Sequence, residues 1–271
     1  MAGDPIELDE REEREVEERS PPEARIVHAA VARQGEDELD RPVGSLFWSG
    51  IAAGFAIMAS LWAQAALHRQ LPDAPWREAV AALGYVLGFM IVILGRMQLF
   101  TEHTMVAVLP LARAPNFANF RRVARLWAAV LAGNLIGAAA IAALAAFGHI
   151  QSEELLHAMV EVSAKLLEKS PGALLLQGIP AGFLIASIAW IRSAADDSGF
   201  WIVLALTYPI ALCGFTHVIA GAAEAFLLLW TGAAGIGWVA GGFLVPAFIG
   251  NVIGGTGLFA LLAHAQVKEE I

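Results

Sequence analysis

The chain has 271 residues, 58% of them hydrophobic and only 16% charged, against about 25% charged in an ordinary soluble domain. Its net charge of −9 is concentrated in residues 1–42, where 14 acids face 6 arginines, so the other 229 residues are nearly neutral. Such a body excludes a single water-soluble core and suits several membrane spans, and the lone Cys213 excludes an internal disulfide or a thiolate metal cluster.

Residues 6–19, IELDEREEREVEER, are too charged to bury anything and are expected to form a solvated helix or remain disordered. No cleavable signal segment is expected in this acidic start. After Pro21 and Pro22, the segment from Glu23 to Gln34 places Ile26, Val27, Ala30 and Val31 together. That spacing fits either a short helix at a membrane surface or an ordinary helical linker.

Six apolar stretches follow: Ser45–Leu67, Ala79–Leu109, Leu126–Phe147, Ala173–Ile191, Phe200–Trp230 and Ile236–Ala263. Each is near or above the roughly 20 residues needed to cross a bilayer. The loop after the second carries Arg113, Arg121, Arg122 and Arg125 without an acid, which assigns it, and with it both termini, to the cytoplasm. The predicted loop between spans three and four carries four Glu and two Lys.

The second and fifth stretches are long, and polar clusters interrupt them, Arg96 to Thr104 in one and Thr216 to Glu224 in the other. A charged side chain at the bilayer centre costs at least about 2.5–3.5 kcal/mol. It is tolerated where the backbone leaves helix geometry and lines a cavity. An internal repeat supports this reading. Gly50-Ile-Ala-Ala-Gly-Phe-Ala-Ile57 matches Gly178-Ile-Pro-Ala-Gly-Phe-Leu-Ile185 at six of eight positions, and Gly133-Asn-Leu-Ile-Gly137 matches Gly250-Asn-Val-Ile-Gly254. The breaks share Phe100-Thr101 and Phe215-Thr216. Three spans per repeat force the halves into opposite orientations, so the expected fold is an all-α membrane protein with a 3+3 inverted repeat around a central pathway.

Candidate site residues gather at the breaks. His217 is read either as a buried, hydrogen-bonded histidine or as a polar group in the pathway, and its place in a break favours the second. Thr101 could reach it across the pathway, cap the helix that resumes after the break, or do both. Phe100, Phe89 and Tyr85 are candidates for apolar constrictions. Arg96, Glu102 and Glu224 need partners at membrane depth, Arg96 pairing with either acid. Asn134 and Asn251 are expected to hydrogen-bond backbone freed by the breaks. Glu102, His103 and His217 lack metal-ligand spacing, so neither an enzyme nor a metal site is expected.

With these residues in view, residues 44–265 resemble the formate/nitrite transporter family, through Leu99-Phe100-Thr101, Gly133-Asn134-Leu-Ile-Gly137, Gly214-Phe-Thr-His217 and Pro246-Ala-Phe-Ile-Gly250-Asn251-Val-Ile-Gly254-Gly255. The resemblance implies an aquaporin-like protomer in a homopentamer, passing small monovalent anions across a bacterial inner membrane without a cofactor or nucleic acid. It makes Thr101 and His217 the central pair, assigns Leu99, Phe100, Phe89 and Tyr85 to the pore with the last three at its cytoplasmic side, and places Ile210 at the periplasmic side. Departures are His217-Val-Ile-Ala-Gly221 where the family has His-Ser-x-x-Asn, Gly182 where an Asn is common, Arg96, Met97 and Gln98 where small residues are usual, and the additional Glu224. Lys165 and Lys169 only approximate an expected vestibule lysine. The chain thus divides into an acidic segment (1–43), a channel domain (44–265) and a short tail (266–271). The alternative reading is an aquaporin-like channel for neutral solutes.

Overall fold

The computed structural model describes residues 9–270; residues 1–8 of the acidic segment lie outside the described residues. The order is α1 (Glu10–Arg19), α2 (Ala24–Asp40), α3 (Val43–Ala56), α4 (Met58–Gln70), α5 (Arg77–Phe89), α6 (Phe100–His103), α7 (Val108–Arg113), α8 (Phe117–Phe147), α9 (Glu153–Ala164), α10 (Pro171–Ala194), α11 (Gly199–Leu212), α12 (Val218–Trp230), α13 (Val245–Val252) and α14 (Leu261–Val267). α3 and α4 form one rod. α5 continues through one wide helical turn to Leu94, and α13 and α14 belong to a rod spanning Trp238–Val267. Among the described residues, five rods are long and apolar enough to cross a membrane, and the shorter α11 and α12 are also apolar. The two interrupted stretches become α5 with α6 and α7, and α11 with α12, each broken before its second part.

Local chemistry sets the boundaries. Asn116 accepts the Asn119 amide at the start of α8, Ser152 that of Leu155 in α9, and Ser170 that of Ala173 in α10, where Pro171 opens the first turn. The segment read as a loop between spans three and four therefore contains a helix, α9. It buries Ala158, Met159 and Val162 and keeps its acids outward, which masked its apolar face.

Glycines govern the packing of the long rods. A Cβ on Gly54 would lie 2.0 Å from the Asn134 carbonyl oxygen, and one on Gly182 would lie 2.2 Å from that of Asn251. These contacts let α3 touch the backbone of α8, and α10 that of the last rod, as small residues permit in membrane helices.

α2 is docked on the protein. It buries Val27, Val31, Gly35 and Leu39, a face rotated from the one expected, with Ile26 left exposed. The Arg122 guanidinium bonds Glu36 at 2.9 Å and Asp40 at 2.7 Å, and Arg125 donates to the Leu39 carbonyl. His28 is buried against Trp190, with its Nε2 3.2 Å from Nδ1 of His264. Burial first, then His264 and Arg113, hold the His28 imidazole below its usual value of 6.5.

Two outcomes follow from these contacts. Gly54→Ala and Gly182→Ala should each lower the thermal unfolding midpoint by the equivalent of about 1–3 kcal/mol of overpacking. Gly172→Ala, where a new Cβ meets nothing within 4 Å, should leave it unchanged or raise it. Because the folded state disfavours protonation of His28, its stabilising effect is complete above the unfolded value of 6.5 and falls as the pH drops below that. The midpoint should therefore decline on acidification through about pH 6, and His28→Phe should reduce that slope in a pH series of melting curves.

Candidate functional site

Both breaks leave backbone groups without helical partners, and one asparagine serves each. Asn134 Oδ1 accepts the Phe100 amide at 2.9 Å, while its Nδ2 donates to the carbonyls of Gly50 and Gln98, both at 2.8 Å. Asn251 Oδ1 accepts the Val218 amide, and its Nδ2 donates to the carbonyls of Gly178 and Thr216, all at 2.8 Å. Both asparagine side chains are fully buried. The residue two before each clamped amide is also tied at its own nitrogen: Gln98 donates to Ser49 Oγ and Thr216 to the Gln177 carbonyl, both at 3.1 Å.

These bonds define which residues correspond, and the register differs from the one read off the sequence. Phe100 matches Val218, and Gln98 matches Thr216. Leu99 matches His217, with φ and ψ of −100° and 122° against −102° and 124°. The two Phe-Thr pairs are therefore offset by three residues, and Thr101 and Thr216 occupy different positions. The same register pairs Arg96, at φ 54°, with Gly214, at φ 65°. The left-handed region costs a side-chain-bearing residue about 1–2 kcal/mol that glycine avoids. Lys169 Nζ bonds the Gly214 carbonyl at 2.7 Å and supports the second turn.

At the centre, Thr101 Oγ1 lies 2.7 Å from His217 Nε2, and the Ala220 amide donates to His217 Nδ1 at 3.1 Å. Since Nδ1 accepts, the neutral tautomer with hydrogen on Nε2 satisfies both contacts, and Nε2–H donates to Thr101. A proton on Nδ1 would displace the Ala220 amide. Thr101 and His217 are both buried, and the Phe89 ring meets the imidazole edge-on at 4.9 Å. The N-terminus of α12 is directed at this centre, where the helix dipole favours negative charge.

Two cavities approach the centre from opposite sides. The one beneath α2, of about 480 Å³, is lined by Arg96, Gln98, Glu102, His103 and Arg192 among others, with Asp37 and Glu38 contributed by α2. The other, of about 420 Å³, is lined by Tyr85, Lys165, Lys169, Thr216, His217 and Glu224 among others. Arg96 thus lines a cavity together with Glu102, whereas Glu224 lines the far one beside the two lysines. Tyr85 also lines the far cavity and not the one beneath α2. α5 runs toward the centre from the opposite face, and Phe89, one turn later, packs between Tyr85 and His217. Phe100 is buried against Trp127 and Phe248, and Leu99 and Ile210 are fully buried. Sequence reasoning passed over Gln98 and Thr216 as site residues, although each stands within a quoted break motif or immediately beside it.

Replacing Asn134 or Asn251 by Ala removes three bonds and leaves buried backbone groups unpaired. The expected loss is about 3 kcal/mol or more, read as a sharply lowered melting midpoint or failure to accumulate folded protein. Comparable loss at both positions is the specific expectation, because the two clamps make the same set of bonds.

Comparison with known proteins agrees with this architecture. The formate/nitrite transporter family profile matches residues 25–265. The inner membrane protein YfdC of Escherichia coli (strain K12) is 35% identical over 269 residues, covering 99% of this chain and 84% of that protein. The formate channel BtFdhC of Bacillus thuringiensis is 26% identical, over 87% of this chain and 93% of that one. Among solved structures, a pentameric formate channel with formate bound superposes with a TM-score of 0.71 at 18% identity, covering 84% of this chain and 98% of its own. An FNT family ion channel does so with a TM-score of 0.73, also at 18% identity, over 90% and 98%. The chain is a multi-pass membrane protein of a channel and transporter family rather than an enzyme: it belongs to the formate/nitrite transporter family.

Proposed function

We propose that the chain is a channel for small monovalent anions of the formate or nitrite kind, entering as anions and crossing the centre with a proton. The carrying observation is the buried Thr101–His217 contact between two polar cavities. His217 Nε2–H donates to Thr101, so the threonine hydroxyl hydrogen is left to donate to the solute. Phe89, Phe100 and Leu99 surround this point with apolar surface that hydrated ions cross poorly. Tyr85 narrows the approach on the far side.

On this reading the rods form six spans in two oppositely oriented sets of three, α3–α4 to α8 and α10 to the last rod, and the paired asparagine clamps support that division. The protomers assemble as a homopentamer in a bacterial inner membrane, with both termini and α2 on the cytoplasmic side. The pentameric formate channel among the solved neighbours supports the pentamer, and the arginines before and within α8 support the orientation.

In proteoliposomes the purified chain should carry formate or nitrite. His217→Phe should reduce that flux to the protein-free background. Thr101→Val should lower it roughly tenfold, the effect of one lost hydrogen bond in the rate-limiting step. Water or glycerol flux without anion flux would replace this reading with the neutral-solute one.

A further inference from the structure

Gln98 and Thr216 occupy equivalent positions, immediately before the cap residues Leu99 and His217 of the two half-helices, and both are anchored at their backbone nitrogen and carbonyl. Their amides are held by Ser49 and Gln177, and their carbonyls by Asn134 and Asn251. Their side chains have no such anchorage. Gln98 is 4% exposed and Thr216 is 2% exposed. Gln98 Oε1 and Thr216 Oγ1 are buried without a hydrogen-bond partner among the described residues. Each residue lines a different cavity, Gln98 the one beneath α2 and Thr216 the far one.

An unpartnered buried polar atom costs about 1–3 kcal/mol. A cost of that kind repeated at two matched positions, on backbone this firmly fixed, calls for a group that satisfies both atoms only transiently. We propose that Gln98 and Thr216 are a matched pair of solute-binding residues, one at the inner end of each cavity, that hydrogen-bond a small oxyanion or its neutral acid on either side of the Thr101–His217 centre.

Their chemistry suits a solute that changes protonation on the way. A carboxamide and a hydroxyl each donate to an anionic oxygen and each accept from an O–H, whereas a carboxylate at the same place would only accept and would repel the anion. The oxygen and nitrogen of the Gln98 amide can exchange places by a half-turn, so one side chain serves both forms of the solute. Arg96 and Lys169 supply positive charge in the respective cavities that Gln98 and Thr216 also line. The inference rests on the anion-channel reading.

The test uses Gln98→Leu, Thr216→Val and Thr216→Ser in the full chain, with formate as probe. In proteoliposomes the half-saturating formate concentration should rise about fivefold to tenfold for Gln98→Leu and for Thr216→Val, the effect of one lost hydrogen bond. Thr216→Ser should retain the wild-type value. Melting midpoints should stay level or rise in both apolar variants, because an unsatisfied buried atom has been removed. Unchanged half-saturation in both apolar variants, or a lowered midpoint in both, overturns the inference while leaving the channel reading in place. Wild-type protein that carries neither formate nor nitrite overturns the channel reading, and this inference with it.

Discussion

A peptide group that leaves helix geometry inside hydrocarbon must find a partner within the protein, because no water is there to serve it. Everything at the centre of this molecule depends on two asparagines that meet this requirement. Each joins the amide that opens a half-helix to a carbonyl two residues earlier and to a carbonyl on a neighbouring rod. They can reach so far because α3 and α10 present glycine where those asparagines' own backbones lie. With any side chain at Gly54 or Gly182 the rods would separate, and the asparagine would no longer span the gap. Break, glycine and asparagine are therefore one mutually dependent unit, and the chain uses that unit twice.

The repetition makes the differences informative. At the cap position of the first half-helix stands Leu99, which has nothing to offer a backbone amide. At the matching position of the second stands His217, which caps its own helix through Nδ1 and so directs Nε2 across the pathway to Thr101. A cap that ordinarily ends as local stabilisation here fixes a tautomer and an orientation. The turns before the two caps differ in the same way. Gly214 adopts a left-handed conformation freely, and Arg96 adopts it at a cost. That cost places a guanidinium in the cavity beneath α2. Backbone strain of this kind concentrates where a side chain has work to do.

Much of this was legible in the residues. The apolar runs pointed to the long rods, polar clusters to the two breaks, and the repeated Gly-Asn-x-Ile-Gly to the asparagines. What misled was the pair of identical Phe-Thr dipeptides. Register at a break is set by which amide an asparagine reaches, and two residues of local identity carry no information about that. Tyr85 shows a related limit. Closeness in sequence to Leu99-Phe100-Thr101 groups it with them, but it lines the far cavity, because α5 approaches the centre from the face opposite α2. α2 hid its docking face because the decisive residue is Gly35, where a Cβ would run into the Val106 carbonyl, and absence of a side chain leaves no hydropathy signal.

The distribution of charge bears on what such a centre can pass. Arg96, Arg192 and Glu102 line one cavity, and Lys165, Lys169 and Glu224 the other. Between them stand Leu99, Phe89, Thr101 and a histidine whose two nitrogens are both engaged. An ion entering from either side leaves compensating charge and water behind at the same point, and removing an ion from water costs several kcal/mol even after relaxation. On the proposed reading, a weak acid escapes that cost by taking up a proton in the cavity and crossing neutral, held by hydroxyl and amide groups that serve both of its forms. A permanently charged ion of equal size has no such route, so the apolar centre discriminates by chemistry where its dimensions alone would not.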